Sequence, residues 1–141
     1  MSPRVLITVC LFAVLSPMTT EQPAWGQESV PEELGQAFEA GDARALGRMM
    51  APAVDISLFG ARKRYSRNQA RLLMASFFSS WPAAGFEVVT YTRTTSGWFV
   101  EARYHTTRPG SPLRLFLRMR RHDSVWLVRE LIMEAPEHED P

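Results

Sequence analysis

The spacing of apolar residues divides the chain into a helical first half and a stranded second half. Leu34, Ala37 and Phe38 recur three and four residues apart, as on the buried stripe of a helix, and Gly41 stops that pattern. Ser29-Val-Pro-Glu32 reads as the start of this helix, with a serine cap, glutamate at the third position and proline in the first turn. Asp42 caps a second short helix carrying Leu46, Met49 and Met50, which Pro52 ends. Val54, Ile56 and Leu58 then alternate with Asp55 and Ser57, the period of a strand with one buried face. Gly60-Ala61 turns the chain, and Lys63 to Tyr65 makes a short return strand. Ser66 with Gln69 is a capping box, followed by Ala70, Leu73, Met74, Phe77, Phe78 and Trp81 on one helical face before Pro82.

Beyond Pro82 the period falls to two. Strands are expected over Phe86–Thr94, Trp98–Thr107, Leu113–His122 and Val125–Glu134, separated by Thr95-Ser-Gly97, Arg108-Pro-Gly110 and His122-Asp-Ser124. Connections this short favour antiparallel hairpins, because a parallel crossover needs about a dozen residues. Alternation places Phe86 and Val88, then Trp98, Val100, Ala102 and Tyr104, then Leu113, Leu115, Leu117 and Met119 on the inner face. The outer face is expected to carry Glu87, Val89, Tyr91 and Arg93, then Phe99, Glu101, Arg103 and His105, then Arg114, Phe116, Arg118 and Arg120. The last strand holds two competing alternations: Val125, Leu127, Leu131 and Met133 against Trp126, Val128 and Ile132. The pattern does not choose between them.

The amino terminus changes the picture of where the protein works. Arg4 precedes an uninterrupted apolar run, Val5 to Leu15, shorter than the roughly 20 residues of a membrane span but fitting a signal peptide. Ala24-Trp25-Gly26 supplies small residues for cleavage, so residues 1–26 are expected to be a leader and the protein exported to the periplasm or beyond. Cys10 follows Val9 rather than a small residue, which argues against a lipid anchor, and cleavage would leave no cysteine. The remaining 115 residues hold 15 basic and 14 acidic side chains, a balance unlike that of an electrostatic nucleic-acid binder. One domain over residues 27–134 and an acidic tail over residues 135–141 are expected, with no membrane span.

The order helix, helix, strand pair, helix and four-stranded meander resembles the nuclear transport factor 2-like superfamily, which includes SnoaL-like and ketosteroid-isomerase-like proteins. More narrowly, the chain resembles a secreted bacterial family known as domain of unknown function 4783. The resemblance rests on Phe38, Gly41-Asp42-Ala43, Leu46, Val54-Asp55-Ile56-Ser57-Leu58, Tyr65-Ser66, Gln69-Ala70, Phe77-Phe78, Pro82, Phe86 and Leu131 to Glu134. It implies an α+β cone, three N-terminal helices packed on a curved antiparallel sheet, with no established activity to carry over.

Isomerase chemistry on such a cone needs an inward carboxylate as base and a tyrosine or acid to stabilise an enolate. Asp55, Tyr65 and Tyr104 are the candidates, but alternation points Asp55 outward unless a bulge rotates it. A binding pocket would be lined by Phe78, Trp81, Phe86, Trp98, Tyr104 and Leu115, and would suit a small apolar ligand. Tyr91, Phe99, Arg103, Phe116 and Arg118 combine aromatics and arginines on one sheet face, the composition of an interface, and the superfamily's habit of dimerising there implies a homodimer. His105, His122 and His138 lack metal-ligand spacing, and no phosphate loop or nucleophile elbow appears; no metal or cofactor is expected. The expectation is an exported non-catalytic module binding a small apolar ligand or a protein partner, with a small isomerase or dehydratase and a structural, dimerising envelope protein as alternatives.

Overall fold

The computed structural model describes residues 32–136; the leader, the Ser29 cap and residues 137–141 of the acidic tail lie outside them. The elements are α1 (Glu32–Ala40), α2 (Ala43–Arg48), β1 (Met50–Leu58), β2 (Lys63–Ser66), α3 (Arg67–Ser80), β3 (Ala83–Arg93), β4 (Trp98–Thr106), β5 (Leu113–His122) and β6 (Val125–Glu134). The strands form one sheet in the order β2-β1-β6-β5-β4-β3, and the helices cover its inner face. The sheet is not wholly antiparallel as expected: β1 pairs with β6 in parallel. All of the chain between them serves as the long crossover that a parallel pair requires.

The local signals act where the sequence places them. Gly41, at φ +62°, closes α1 while Asp42 N–H donates to the Ala37 carbonyl at 2.9 Å. The Asp42 carboxylate accepts from Ala45 N–H at 2.9 Å and starts α2. At α3, Ser66 Oγ accepts from Gln69 N–H at 3.2 Å and the Gln69 side chain accepts from Ser66 N–H at 3.0 Å, so both halves of the box form. The apolar stripe of α3, Ala70, Met74, Phe77 and Phe78, is buried against the sheet.

Three departures change which residues face the core. The second helix stops at Arg48, and Pro52 lies inside β1. It sits where the β1–β6 register slips between Met50 and Asp55, a place where a strand tolerates a residue without an N–H. On β3 the register slips between Val88, opposite Ala102, and Thr90, opposite Glu101. Val89 is the extra residue, so every side chain after it changes face. On β6 the slip falls between Glu130, opposite Arg118, and Val128, opposite Met119. Arg129 is extra, and Trp126 and Val128 join Leu131 and Met133 on the inner face. The two competing alternations of β6 are therefore both present, spliced at one residue.

Candidate functional site

The inner face is packed with rings. Tyr104, on β4, is fully buried and lies 5.4 Å from Phe77 and 6.1 Å from Phe78, centroid to centroid. Phe38 of α1 stacks on Phe86 of β3 at 5.1 Å and meets Phe78 edge-on at 6.2 Å. The Tyr104 hydroxyl donates to the Trp81 carbonyl at 2.5 Å, satisfying one of the last carbonyls of α3. Burial pushes the Tyr104 phenol up to about 12.

The residues expected to line one pocket separate into distinct groups. Phe78, Phe86 and Tyr104 belong to the cluster just described, and Leu115 is buried opposite Ala102. Trp98 is six residues from Tyr104 along β4, roughly 20 Å away. There it stacks with Tyr91 at 5.2 Å and meets Trp126 edge-on at 5.8 Å. Its buried Nε1–H has no hydrogen-bond partner among the described residues. Trp81 closes α3, with Phe59 at 5.2 Å and the Arg108 guanidinium 3.7 Å over its ring.

The candidate catalytic residues do not converge. Asp55 points to the outer face, where Arg64 holds its carboxylate through Nε at 2.9 Å and NH2 at 3.2 Å. The hydrogen bond from Arg64 keeps its pKa below the usual carboxylate range. The β1 irregularity does not turn Asp55 inward. Tyr65, opposite Val54 on β2, is half-buried against the core. Asp55 and Tyr104 thus lie on opposite faces of the sheet, and a base and an oxyanion donor cannot serve one substrate from there.

The outer face is open and mixed in charge. Phe99 is 45% exposed, with the Arg118 guanidinium 4.9 Å over its ring, and Arg114 lies 5.1 Å over Phe116. Beside them is a depression of about 270 Å³ lined by Thr90, Thr92, Phe99, Glu101, Phe116, Arg118 and Glu130, among others. A second depression, of about 480 Å³, lies against Arg103, Ser111, Pro112, Arg114 and Pro136. Of the expected interface residues, Phe99, Arg103, Phe116 and Arg118 share this face. Tyr91 does not: the Val89 bulge turns it inward onto Trp98.

Sequence patterns miss two features. Phe59 takes φ +58° although Gly60 follows it. Its N–H donates to the Met133 carbonyl at 2.9 Å, and the Ser57 hydroxyl donates to the Gly60 carbonyl. Trp126 joins the core only through the Arg129 bulge. Neither leaves a mark in local periodicity, because both depend on pairing with a distant strand. Among the described residues no group of three His, Cys, Asp or Glu side chains could hold a metal ion, and no helix is long and apolar enough to cross a membrane.

Known structures share this architecture. A protein of the DUF4783 family from Bacteroides ovatus superposes with a TM-score of 0.72 at 19% identity, covering 79% of this chain and all of that one. A Bacteroides fragilis member of the same family gives 0.71 at 21% identity, covering 77% of this chain and 100% of the other. An NTF2-like protein of unknown function from Silicibacter pomeroyi gives 0.51 at 15% identity, over 73% of this chain and 87% of its own. These similarities establish an α+β fold of the NTF2-like kind. No curated protein matches the chain. The DUF4783 domain, a domain of unknown function, matches residues 31–134 from the first described helix to the end of β6, and the chain belongs to that family.

Proposed function

We propose that this protein is an exported, non-catalytic binding module that works through the outer face of its sheet, pairing there with a second copy of itself. The observation that carries this reading is the exposed Phe99 ring beneath Arg118, at the edge of the 270 Å³ depression. Arginine over an exposed aromatic is the composition of binding surfaces rather than of bare solvated sheet. The same face carries Glu101, opposite Phe116, and Glu130, opposite Arg118. A two-fold interface needs a self-complementary surface, and such a mixture can set Arg118 of one copy against a carboxylate of the other.

Two further observations support the choice. The rings of Phe38, Phe77, Phe78, Phe86 and Tyr104 pack on one another, which favours the outer face over an interior apolar site. The Asp55 carboxylate is engaged by Arg64 on the face opposite Tyr104, which weighs against an isomerase. Export rests on the apolar run Val5 to Leu15 and the small residues Ala24 and Gly26.

Sedimentation velocity on the mature chain tests the proposal. The wild type is expected to sediment as a dimer over a concentration series, and Phe99→Glu as a monomer with unchanged circular dichroism. A wild type that stays monomeric, or a Phe99→Glu protein that dimerises equally well, overturns it.

A further inference from the structure

Two pairs of like charges face each other across neighbouring strands of the outer surface, and their surroundings differ. Asp55 of β1 lies opposite Glu130 of β6. Each has its own arginine: Arg64 Nε is 2.9 Å from Asp55, and Arg62 NH1 is 2.6 Å from Glu130. Arg103 of β4 lies opposite Arg114 of β5. Their carboxylates are more distant: Glu87 is 3.9 Å from Arg103, and Glu134 is 3.6 Å from Arg114. Both distances exceed hydrogen-bond range, and Glu87 is shared with His105 at 3.7 Å. Like charges directly opposite on a sheet destabilise it, so the arginine pair is held at a cost that the acidic pair avoids.

Glu87 lies on β3, beyond Arg103, and Glu134 on β6, beyond Arg114. The carboxylates therefore flank the arginine pair on its two outer sides. Arg103 and Arg114 themselves border the 480 Å³ depression, together with the Ser111-Pro112 end of the β4–β5 hairpin. We propose that this depression is a binding site for a small oxyanion, a carboxylate or phosphate group of a solute, held between the Arg103 and Arg114 guanidinium groups. The arginine fork matches the planar or tetrahedral array of such oxygens, and an anion there removes the repulsion between the two cations. Ser111 adds a hydroxyl donor to the lining. Glu101, two residues from Arg103 on β4, also lines the depression and disfavours additional negative charge, so the site suits a single compact oxyanion rather than a polyanion. It requires no second copy of the chain and no interior cavity.

The test is an NMR titration of the mature chain with inorganic phosphate and, separately, with acetate, at constant ionic strength set by chloride. The expected result is a saturable shift of the Arg103 and Arg114 Nε–H resonances with at least one of the two anions. Saturation by phosphate alone identifies a phosphate site, by acetate alone a carboxylate site, and by both a general oxyanion site. Arg103→Gln and Arg114→Gln should each weaken binding by about tenfold or more, with unchanged dispersion of the remaining spectrum. Shifts that never saturate with either anion, or binding unaltered in both variants, overturn the proposal. Sedimentation of the same samples reports dimerisation independently, so failure of the oxyanion site and failure of the outer-face pairing can be told apart.

Discussion

The two faces of β4 carry equal investments in large side chains and use them differently. On the inner face Trp98, Val100, Ala102 and Tyr104 are at most 2% exposed, and Tyr104 even directs its hydroxyl to the end of α3. On the outer face Phe99 stands 45% exposed beneath Arg118, and Arg103 faces Arg114. The inner residues hold the fold together: each is enclosed by neighbours it would leave uncovered if removed. The outer residues contribute little to the isolated chain, since surface pairs of their kind are worth about 0–1 kcal/mol. Their arrangement makes sense as a surface that acts on something else.

That contrast can be broken from the inside first. Phe38→Ala removes the ring stacked on Phe86 and opens a cavity in the aromatic cluster; unfolding in denaturant should show a loss of about 3–5 kcal/mol. Gly97→Ala comes next. A Cβ at this buried glycine would overlap the Met119 backbone oxygen, and a loss of about 1–3 kcal/mol is expected by the same measurement. Either variant falling within 0.5 kcal/mol of wild type, about the size of an ordinary surface substitution, would contradict an interior that is tightly packed.

Tyr104→Phe sharpens the comparison. It should cost about 1 kcal/mol at neutral pH through the lost hydrogen bond to Trp81. The phenol's pKa is raised to about 12 in the folded protein, against 10.0 ordinarily. Its contribution is therefore fully present below pH 10 and is lost as pH rises towards 12, with a slope of up to about 1.4 kcal/mol per pH unit. The phenylalanine variant should lack that part of the alkaline decline in a stability–pH profile. The smallest effect is expected outside. Asp55 has a lowered pKa, so its pairing with Arg64 contributes above the ordinary carboxylate pKa and is lost as pH falls through the folded value. Asp55→Asn should change neutral-pH stability only slightly and flatten part of the acid limb. A loss as large as that of Phe38→Ala would show that the outer face is structural after all.

Most of the fold is legible in the sequence because its signals are local. The Asp42 and Ser66 caps depend on residues three positions away, and the buried sets of β4 and β5 follow from strict alternation over one strand. What periodicity cannot supply is pairing between strands. The extra residues Val89 and Arg129 are defined only by their partners on β4 and β5, yet they decide that Tyr91 faces inward and that Trp126 joins the core. Pro52 looks like a helix stop by itself and becomes a strand residue only where β1 slips against β6. The candidate site is legible by half for the same reason. Phe99, Arg103, Phe116 and Arg118 lie on unslipped stretches of β4 and β5, whereas Tyr91 lies beyond a bulge. The two depressions on that face have no sequence signature, because each is framed by neighbouring strands and hairpin ends rather than by one segment.

Native mass spectrometry on the mature protein, purified without denaturation from the cells that make it, bears most directly on the contrast between a packed interior and an exterior proposed to bind. The expected spectrum is a dimer with no apolar ligand retained, which Phe99→Glu converts to monomer and Tyr104→Phe leaves intact. A monomer carrying a discrete apolar added mass, lost in Tyr104→Phe and kept in Phe99→Glu, would place the working surface inside the cone and contradict the assignment to the outer face.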